Sequence, residues 1–320
     1  MKVILAGKYP AGTYEKLRTL LPEDRFEVRA VDSEDAYAAM TDAEIMILRI
    51  FKAPEAVMER NPNLKMILRW GAGFDSVDIE AAGRRGILVT NTPGANAGAV
   101  SELAVMLMLA VGRKLMWHHR DLRDGVWSKS TYTDTSFTLN QKLVGVVGGG
   151  NIGRQVAQKV QAFGAQVQYY DPFRLSEDME QKFGMTYVPL EKLLETSDVI
   201  SLHVPLNDTT RHMIGAQELD AMKDGVILIN TARGGLVDDK ALHAAVLCGK
   251  VGGAGLDVVE EEPLAPEHPM LNHPGIIVTP HVGGGTADIG DAILPILVED
   301  ILTYVESGSP NHVVNYQFLK

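Results

Sequence analysis

Three chemically useful side chains stand where the chain turns away from an apolar run. They are Arg233 in VILINTARGGLVD, Glu262 in GLDVVEEEPL and His281 in IIVTPHVGGG. Each run is β-like, and each of the three residues lies beside Gly or Pro. An arginine grips a planar carboxylate through two parallel hydrogen bonds. A histidine gives or takes a proton near neutrality. A carboxylate bonded to the second ring nitrogen fixes the ring and favours its charged form. Such a set fits hydride transfer to or from a small carboxylic acid, where a carbonyl must be polarised and protonated. Singly, each residue has an ordinary role available. Arg233 could cap a sheet edge, Glu262 could be a solvated member of the acidic run Glu260 to Glu262, and His281 could bond a loop carbonyl. Their placement after successive strands of one nucleotide fold sets the joint reading above the separate ones.

The hydride carrier has its own signature. In KLVGVVGGGNIGRQVA, Gly148, Gly150 and Gly153 satisfy G-x-G-x-x-G, preceded by a strand pattern and followed by a helical one. The first glycine permits the tight turn, the second lets a pyrophosphate reach the backbone, and the third lets helix pack on strand. The helix N-terminus favours the phosphates. Asp171 ends the next strand, 18 residues after Gly153. A carboxylate there accepts both ribose hydroxyls of NAD and repels the 2′-phosphate of NADP, whereas the nearby Arg174 would favour the latter.

The elements that must carry these residues alternate. KVILAG, FEVRAV, AEIMILR, LKMILRWG and GILVTN are strand-like, with helical patterns TYEKLRTLL, SEDAYAAM, PEAVMER and DIEAAGRR between them. AVSELAVMLMLAVGRKL reads as one long, apolar helix, buried between domains, followed by the loop-like DLRDGVWSKSTYTDTSFTLN. A second alternating series runs from Lys142 through KLVGVVG, AQVQYYD, DVISLHV, GVILINTA, KVGGAGLDV and GIIVTP. A last helix covers roughly Thr286 to Glu306, and NHVVN looks extended. The expectation is an α/β protein of two doubly wound parallel-sheet domains. One comprises residues 1–97 plus 290–320, for substrate, and the other, inserted, residues 98–289, for NAD.

Composition excludes several classes. With 46% hydrophobic and 22% charged residues the chain is globular. A net charge of −11 argues against nonspecific nucleic-acid binding. The single cysteine, Cys248, leaves no disulfide framework or thiolate metal site. His118 and His119 are adjacent, so on a helix they point about 100° apart, and no metal is expected. The opening MKVILAGKYP reads as a first strand rather than a signal peptide, and no run spans a bilayer, which makes a cytoplasmic protein the simplest expectation. RWGAGFDSVD sets small residues at a strand end, either an anion nest or an ordinary tight turn. Arg49 in MILRIFK ends another strand, and His203 in SLHVPL could line the nucleotide crevice.

GAGFDSVD, NTPGAN, the glycine motif with Asp171, NTARGGLVD, LDVVEEEP and TPHVGG, in that order, closely resemble the D-isomer-specific 2-hydroxyacid dehydrogenase family over nearly the whole chain. The resemblance implies an NAD-dependent enzyme of two Rossmann-like domains, with the active site in a cleft between them, and a homodimer built through the cofactor domains. The polar segment around Trp127 looks like an arm reaching a neighbour. Carried over by motif, Arg233 binds substrate, His281 is the acid/base and Glu262 assists it. Asp257 would contact the nicotinamide carboxamide. Val204, Thr231 and Ala232 would touch the cofactor through backbone, with Asn151 and Ile152 at the pyrophosphate. Ala72 and Gly73 match carboxylate-binding amides, and Arg49 resembles a substrate-side arginine of the phosphoglycerate dehydrogenase branch, whose C-terminal regulatory domain is not expected here. Ser101 and Gly285 depart from the residues common in the family, and Glu262 argues against the formate dehydrogenase branch. The substrate stays open: Arg49 and Lys52 favour a second anionic group, whereas Trp70 and Phe51 could shape a pocket for glyoxylate, hydroxypyruvate or a larger acid. The alternative from another class is an NAD-sensing, corepressor-like binding protein on the same fold.

Overall fold

The computed structural model describes residues 1–319. The chain forms two compact units, Met1–Asn96 with the residues from Gly284 on, and Ala97–Gly283.

In the first unit β1 (Lys2–Ala6), β2 (Glu27–Val31), β3 (Ile45–Leu48), β4 (Met66–Arg69) and β5 (Leu88–Thr90) form a parallel sheet in the order β2-β1-β3-β4-β5. Helices α1 (Thr13–Leu20), α2 (Glu34–Ala39), α3 (Glu55–Arg60) and α4 (Ile79–Arg84) make the crossovers. The central strand β3, IMIL, is wholly buried, as a strand covered on both faces must be. Polar caps set the starts of two helices: Ser33 accepts from the amide of Ala36, and Asp78 from that of Ala81 at 2.9 Å.

The second unit begins with α5 (Ala97–Gly112) and α6 (Leu115–Arg123). Its strands are β6 (Leu143–Val147), β7 (Gln166–Tyr170), β8 (Thr186–Tyr187), β9 (Val199–Leu202), β10 (Val226–Asn230), β11 (Val251–Leu256) and β12 (Ile276–Val278). They pair in parallel in the order β12-β11-β10-β9-β6-β7-β8. Between them run α7 (Asn151–Ala162), α8 (Glu177–Phe183), α9 (Leu190–Thr196), α10 (Ala216–Ala221) and α11 (Asp239–Leu247). Two glycines explain how α5 lies so close to the sheet. A side chain at Gly253 would meet Val111 Cγ1 at 2.6 Å, and one at Gly255 would meet Leu107 Cβ at 2.7 Å.

The chain then returns to the first unit. Helix α12 (Ile289–Ser307) carries Asp300, fully buried, whose Oδ1 accepts from the Asn311 amide at 3.0 Å and lies 3.0 Å from His312 Nδ1. Beyond it Asn315, also fully buried, accepts from the Val89 amide at 2.9 Å and donates to the Ile87 carbonyl at 2.9 Å. NHVVN makes an antiparallel bridge, Thr90 to Val313, rather than a strand.

Two expectations need correction. The helix expected to run past Lys114 breaks there: Lys114 sits at φ 54° and its ammonium donates to the Gly252 carbonyl at 2.8 Å. The next helix, α6, takes up the beginning of the segment read as loop. Strand β8, two residues long, is too short to show a period.

Candidate active site

The sheet of the second unit sets its strand ends level. Tyr170 pairs with Val147, Val147 with Leu202, Leu202 with Asn230, Asn230 with Leu256, and Leu256 with Val278. The residues one step beyond that row are Asp171, Gly148, His203, Thr231, Asp257 and Thr279. All strands are parallel, so every loop that carries a candidate residue leaves from one edge, the carboxyl edge. The strand order reverses between β9 and β6, and ligands bind α/β sheets at such a point.

At that reversal the residues fit a dinucleotide. Gly148 has φ +107°, and a side chain there would meet the His203 carbonyl oxygen at 2.5 Å and Val204 Cγ1 at 3.1 Å. A side chain at Gly153 would collide with the Gly148 carbonyl, whereas one at Gly150 would meet nothing within 4 Å. The turn is therefore tight below and open above, on the side where a pyrophosphate would lie. Gly150 N-caps α7 without a side-chain bond, so the first amides, at Asn151 and Ile152, could hold phosphate oxygens. Asp171 is aimed across this turn: Oδ2 accepts from the Gly149 amide at 2.7 Å and Oδ1 from the Phe173 amide at 2.9 Å. Thr231 Oγ1 is buried with no partner among the described residues. The Ala232 amide is engaged by Asn230 Oδ1 at 3.1 Å, so that peptide offers its contacts differently from an open one. The His203 ring bonds back to its own strand. Its Nε2 shares a 2.8 Å hydrogen bond with Ser201, its Nδ1 is buried, and burial pushes its pKa down to about 3.

The catalytic candidates follow β10, β11 and β12, three adjacent strands. His281 Nδ1 stands 2.9 Å from Glu262 Oε2, and both side chains are substantially exposed. With Nδ1 facing the carboxylate, Nε2 is the nitrogen left for a substrate. His281 has φ 54°, an uncommon conformation for a residue with a side chain. Its amide donates to the Asp257 carbonyl at 2.8 Å. The buried Asp257 carboxylate holds the same loop: Oδ1 accepts from Thr279 Oγ1 at 2.6 Å and the Val282 amide at 2.8 Å, and Oδ2 from the Gly283 amide at 2.7 Å. Arg233 leaves β10 beside a brace, since Asn230 Nδ2 donates to the Arg233 carbonyl at 2.7 Å. The Arg233 guanidinium donates to the Ala232 carbonyl at 2.7 Å.

Thr279 carries no separate sequence signal, although it belongs to the TPH motif. Asn230 was readable only as the start of NTARGG. Also unforeseen is a second acid–histidine pair. His212 Nε2 lies 2.5 Å from Glu260 Oε1, and the Glu260 amide donates to Asp239 at 2.9 Å. Burial first, then the Glu260 charge, raises the Asp239 carboxyl to about 6.

In the first unit Ala72 and Gly73 follow β4. Their amides donate to no acceptor among the described residues, while the Ala72 carbonyl accepts from Asn91 at 2.6 Å. Arg49 follows β3 and donates to the Lys8 carbonyl at 2.5 Å.

Residues 105–283 match the sequence model of the NAD binding domain of D-isomer specific 2-hydroxyacid dehydrogenases. The chain belongs to this family. As a D-2-hydroxyacid dehydrogenase it is an oxidoreductase that uses NAD. It is 38% identical over 266 residues to a glyoxylate reductase of Korarchaeum cryptofilum, covering 82% of this chain and 80% of that protein. It is 38% identical over 292 residues to a hydroxypyruvate reductase of Thermotoga maritima, covering 90% and 94%. A glyoxylate reductase structure from Paecilomyes thermophila superposes with a TM-score of 0.84 at 31% identity, covering 99% of each chain. Among the described residues no helix is long and apolar enough to cross a membrane.

Proposed function

We propose that this dehydrogenase reduces glyoxylate and hydroxypyruvate to the corresponding hydroxy acids. The observation that carries the chemistry is the His281–Glu262 pair at 2.9 Å, on the carboxyl edge that also bears Arg233 and the glycine turn. The substrate choice rests on the reductases of those names, which this chain matches over 80% and 94% of their lengths.

In this reading Arg233 of the second unit holds the substrate carboxylate, and the Ala72 and Gly73 amides and Arg49 are the first unit's own candidate anion-binding groups. NADH, when bound, supplies the hydride to the carbonyl carbon. His281 donates its Nε2 proton to the carbonyl oxygen as that oxygen becomes an alcohol, and Glu262 stabilises the charged ring before transfer and fixes its plane. In the oxidative direction neutral His281 takes the alcohol proton. Gly148, Gly150 and Gly153, with the amides of Asn151 and Ile152, hold the pyrophosphate, Asp171 holds the ribose diol, and Val204, Thr231, Ala232 and Asp257 line the rest of the cofactor. The enzyme works as a cytoplasmic homodimer, with the segment around the exposed Trp127 as its arm.

A rate panel tests the reading. With NADH, glyoxylate and hydroxypyruvate should surpass phosphohydroxypyruvate by about tenfold or more in kcat/KM. Preference for the phosphorylated acid would overturn the substrate, and no steady NADH oxidation with any of them would favour the NAD-sensing alternative. A monomer in analytical ultracentrifugation at micromolar concentration would remove the dimer.

A further inference from the structure

Arg174 lies three residues beyond Asp171, on the loop where the 2′-phosphate of NADP would arrive, and an arginine at that place is the usual means of accepting it. The guanidinium is already committed. Its Nε donates to Glu180 Oε1 at 2.8 Å and its Nη2 to Glu180 Oε2 at 3.0 Å, a two-pronged pair. Its carbon also sits 5.1 Å from the centroid of the Tyr187 ring.

Exposed ion pairs are usually loose, because two long side chains must be ordered for little gain. This one is anchored from below. The Glu180 side chain is only 13% exposed, and Oε1 accepts a second bond, 2.7 Å, from the hydroxyl of Tyr169, a fully buried residue of β7. That hydroxyl in turn accepts from the Leu175 amide at 2.9 Å, which ties the loop to the same point. Arg174 foremost, then Tyr169, holds the Glu180 carboxyl down at about 2, so it keeps its charge at any working pH.

We propose that Glu180 is a cofactor-selectivity residue: it holds Arg174 away from a 2′-phosphate, so that NAD is preferred over NADP through Asp171 and Glu180 together. The proposal rests on Asp171 as the ribose-diol acceptor. Asp171 acts directly, by repelling the phosphate. Glu180 acts through Arg174, as a positioning residue that neutralises and orients the one cation on this loop.

The test is direct binding, by calorimetric titration of NADH, NADPH and 2′,5′-ADP. Asp171→Ser should weaken NADH and admit NADPH slightly. Adding Glu180→Gln, which keeps the shape and a partner for Tyr169 but removes the charge, should tighten NADPH and 2′,5′-ADP by a further factor of about 10, with NADH moved less than about threefold. Adding Arg174→Ala to that double variant should abolish the gain. In the otherwise native protein, Arg174→Ala should change NADPH affinity less than about twofold, since Arg174 is already engaged. No gain on adding Glu180→Gln, with Asp171→Ser behaving as expected, overturns the role of Glu180 alone. NADH binding untouched by Asp171→Ser overturns both assignments. A loss of about fivefold or more in NADPH affinity for the single Arg174→Ala variant, which leaves Glu180 in place, shows Arg174 already on the phosphate and also overturns the proposal.

Discussion

Two kinds of residue share the carboxyl edge, those that would move a proton and those that would hold an anion, and kinetics separates them. If His281 is the acid, His281→Ala should lower kcat by about 100-fold or more while NADH binding by fluorescence titration stays put. Arg233→Ala should raise KM and lower kcat together, because a misplaced carboxylate misplaces the carbonyl as well. Glu262→Gln keeps a side chain of the same shape and loses the charge, so its kcat should fall between those of the native enzyme and His281→Ala. Full activity in His281→Ala would end the scheme. Asp239 makes a different prediction, about stability. Its carboxyl is raised to about 6 in the fold from 3.8, by burial and by Glu260. The fold thus binds that proton more tightly than the unfolded chain, and the associated stability is complete below about pH 4 and fades as pH rises through 6. Asp239→Asn should therefore be more stable than the native protein at pH 8, by on the order of 2 kcal/mol, and lose that advantage at pH 4. Melting curves at the two pH values check it, and a gap that does not change with pH would refute it.

At the scale of elements, the His281 loop is held by a buried carboxylate with three donors, Thr279 Oγ1 and the amides of Val282 and Gly283. Thr279→Val preserves shape and removes one donor, at a cost of about 1–3 kcal/mol. Its melting temperature and kcat should both fall, with NADH affinity kept, and Thr279→Ser should restore both. Intact kcat in Thr279→Val would mean the loop does not need that bond. Much of this site was legible because its signals are local. A glycine turn between a strand and a helix, an Asp ending the next strand, and Arg, Glu and His after three more strands all lie within short stretches of sequence. What was hidden depends on pairing at a distance. The level row from Tyr170 to Val278 is a product of parallel register. The brace from Asp257 to Thr279 spans 22 positions. The break at Lys114 depends on a carbonyl at Gly252, far along the chain.

For the whole molecule, the consequence of a discontinuous first unit is that its fold needs residues from Gly284 onward, far along the chain from its other strands. The sequence pattern joins residues 290–320 to this unit but does not show how they are tied in, which is through buried residues of α12 such as Ile293, Leu297 and Ile301 and through a few polar atoms. Asn315 reaches back to β5, 226 positions away in sequence, accepting from Val89 and donating to Ile87 where water cannot replace either. Closing so long a loop costs little more than closing one half its length, because the entropy grows only with the logarithm of length. The local bonds must still outweigh that cost, and buried polar groups left unpaired are expensive. Asn315→Ala strips partners from a buried amide and a buried carbonyl, and should cost the first unit about 2–4 kcal/mol, read as a lower urea midpoint by circular dichroism. Asn315→Asp keeps the acceptor for Val89 but sets a buried carboxylate against the Ile87 carbonyl, so it should cost at least as much as Asn315→Ala at pH 7. The glycine turn, Asp171 and the His281–Glu262 pair all belong to the second unit, so NADH affinity in the folded Asn315→Ala protein should stay within about twofold of native. An unchanged urea midpoint would show that the tail rests on β5 without holding it. A large loss of NADH affinity in protein that is still folded would show instead that the second unit depends on the first for its cofactor site.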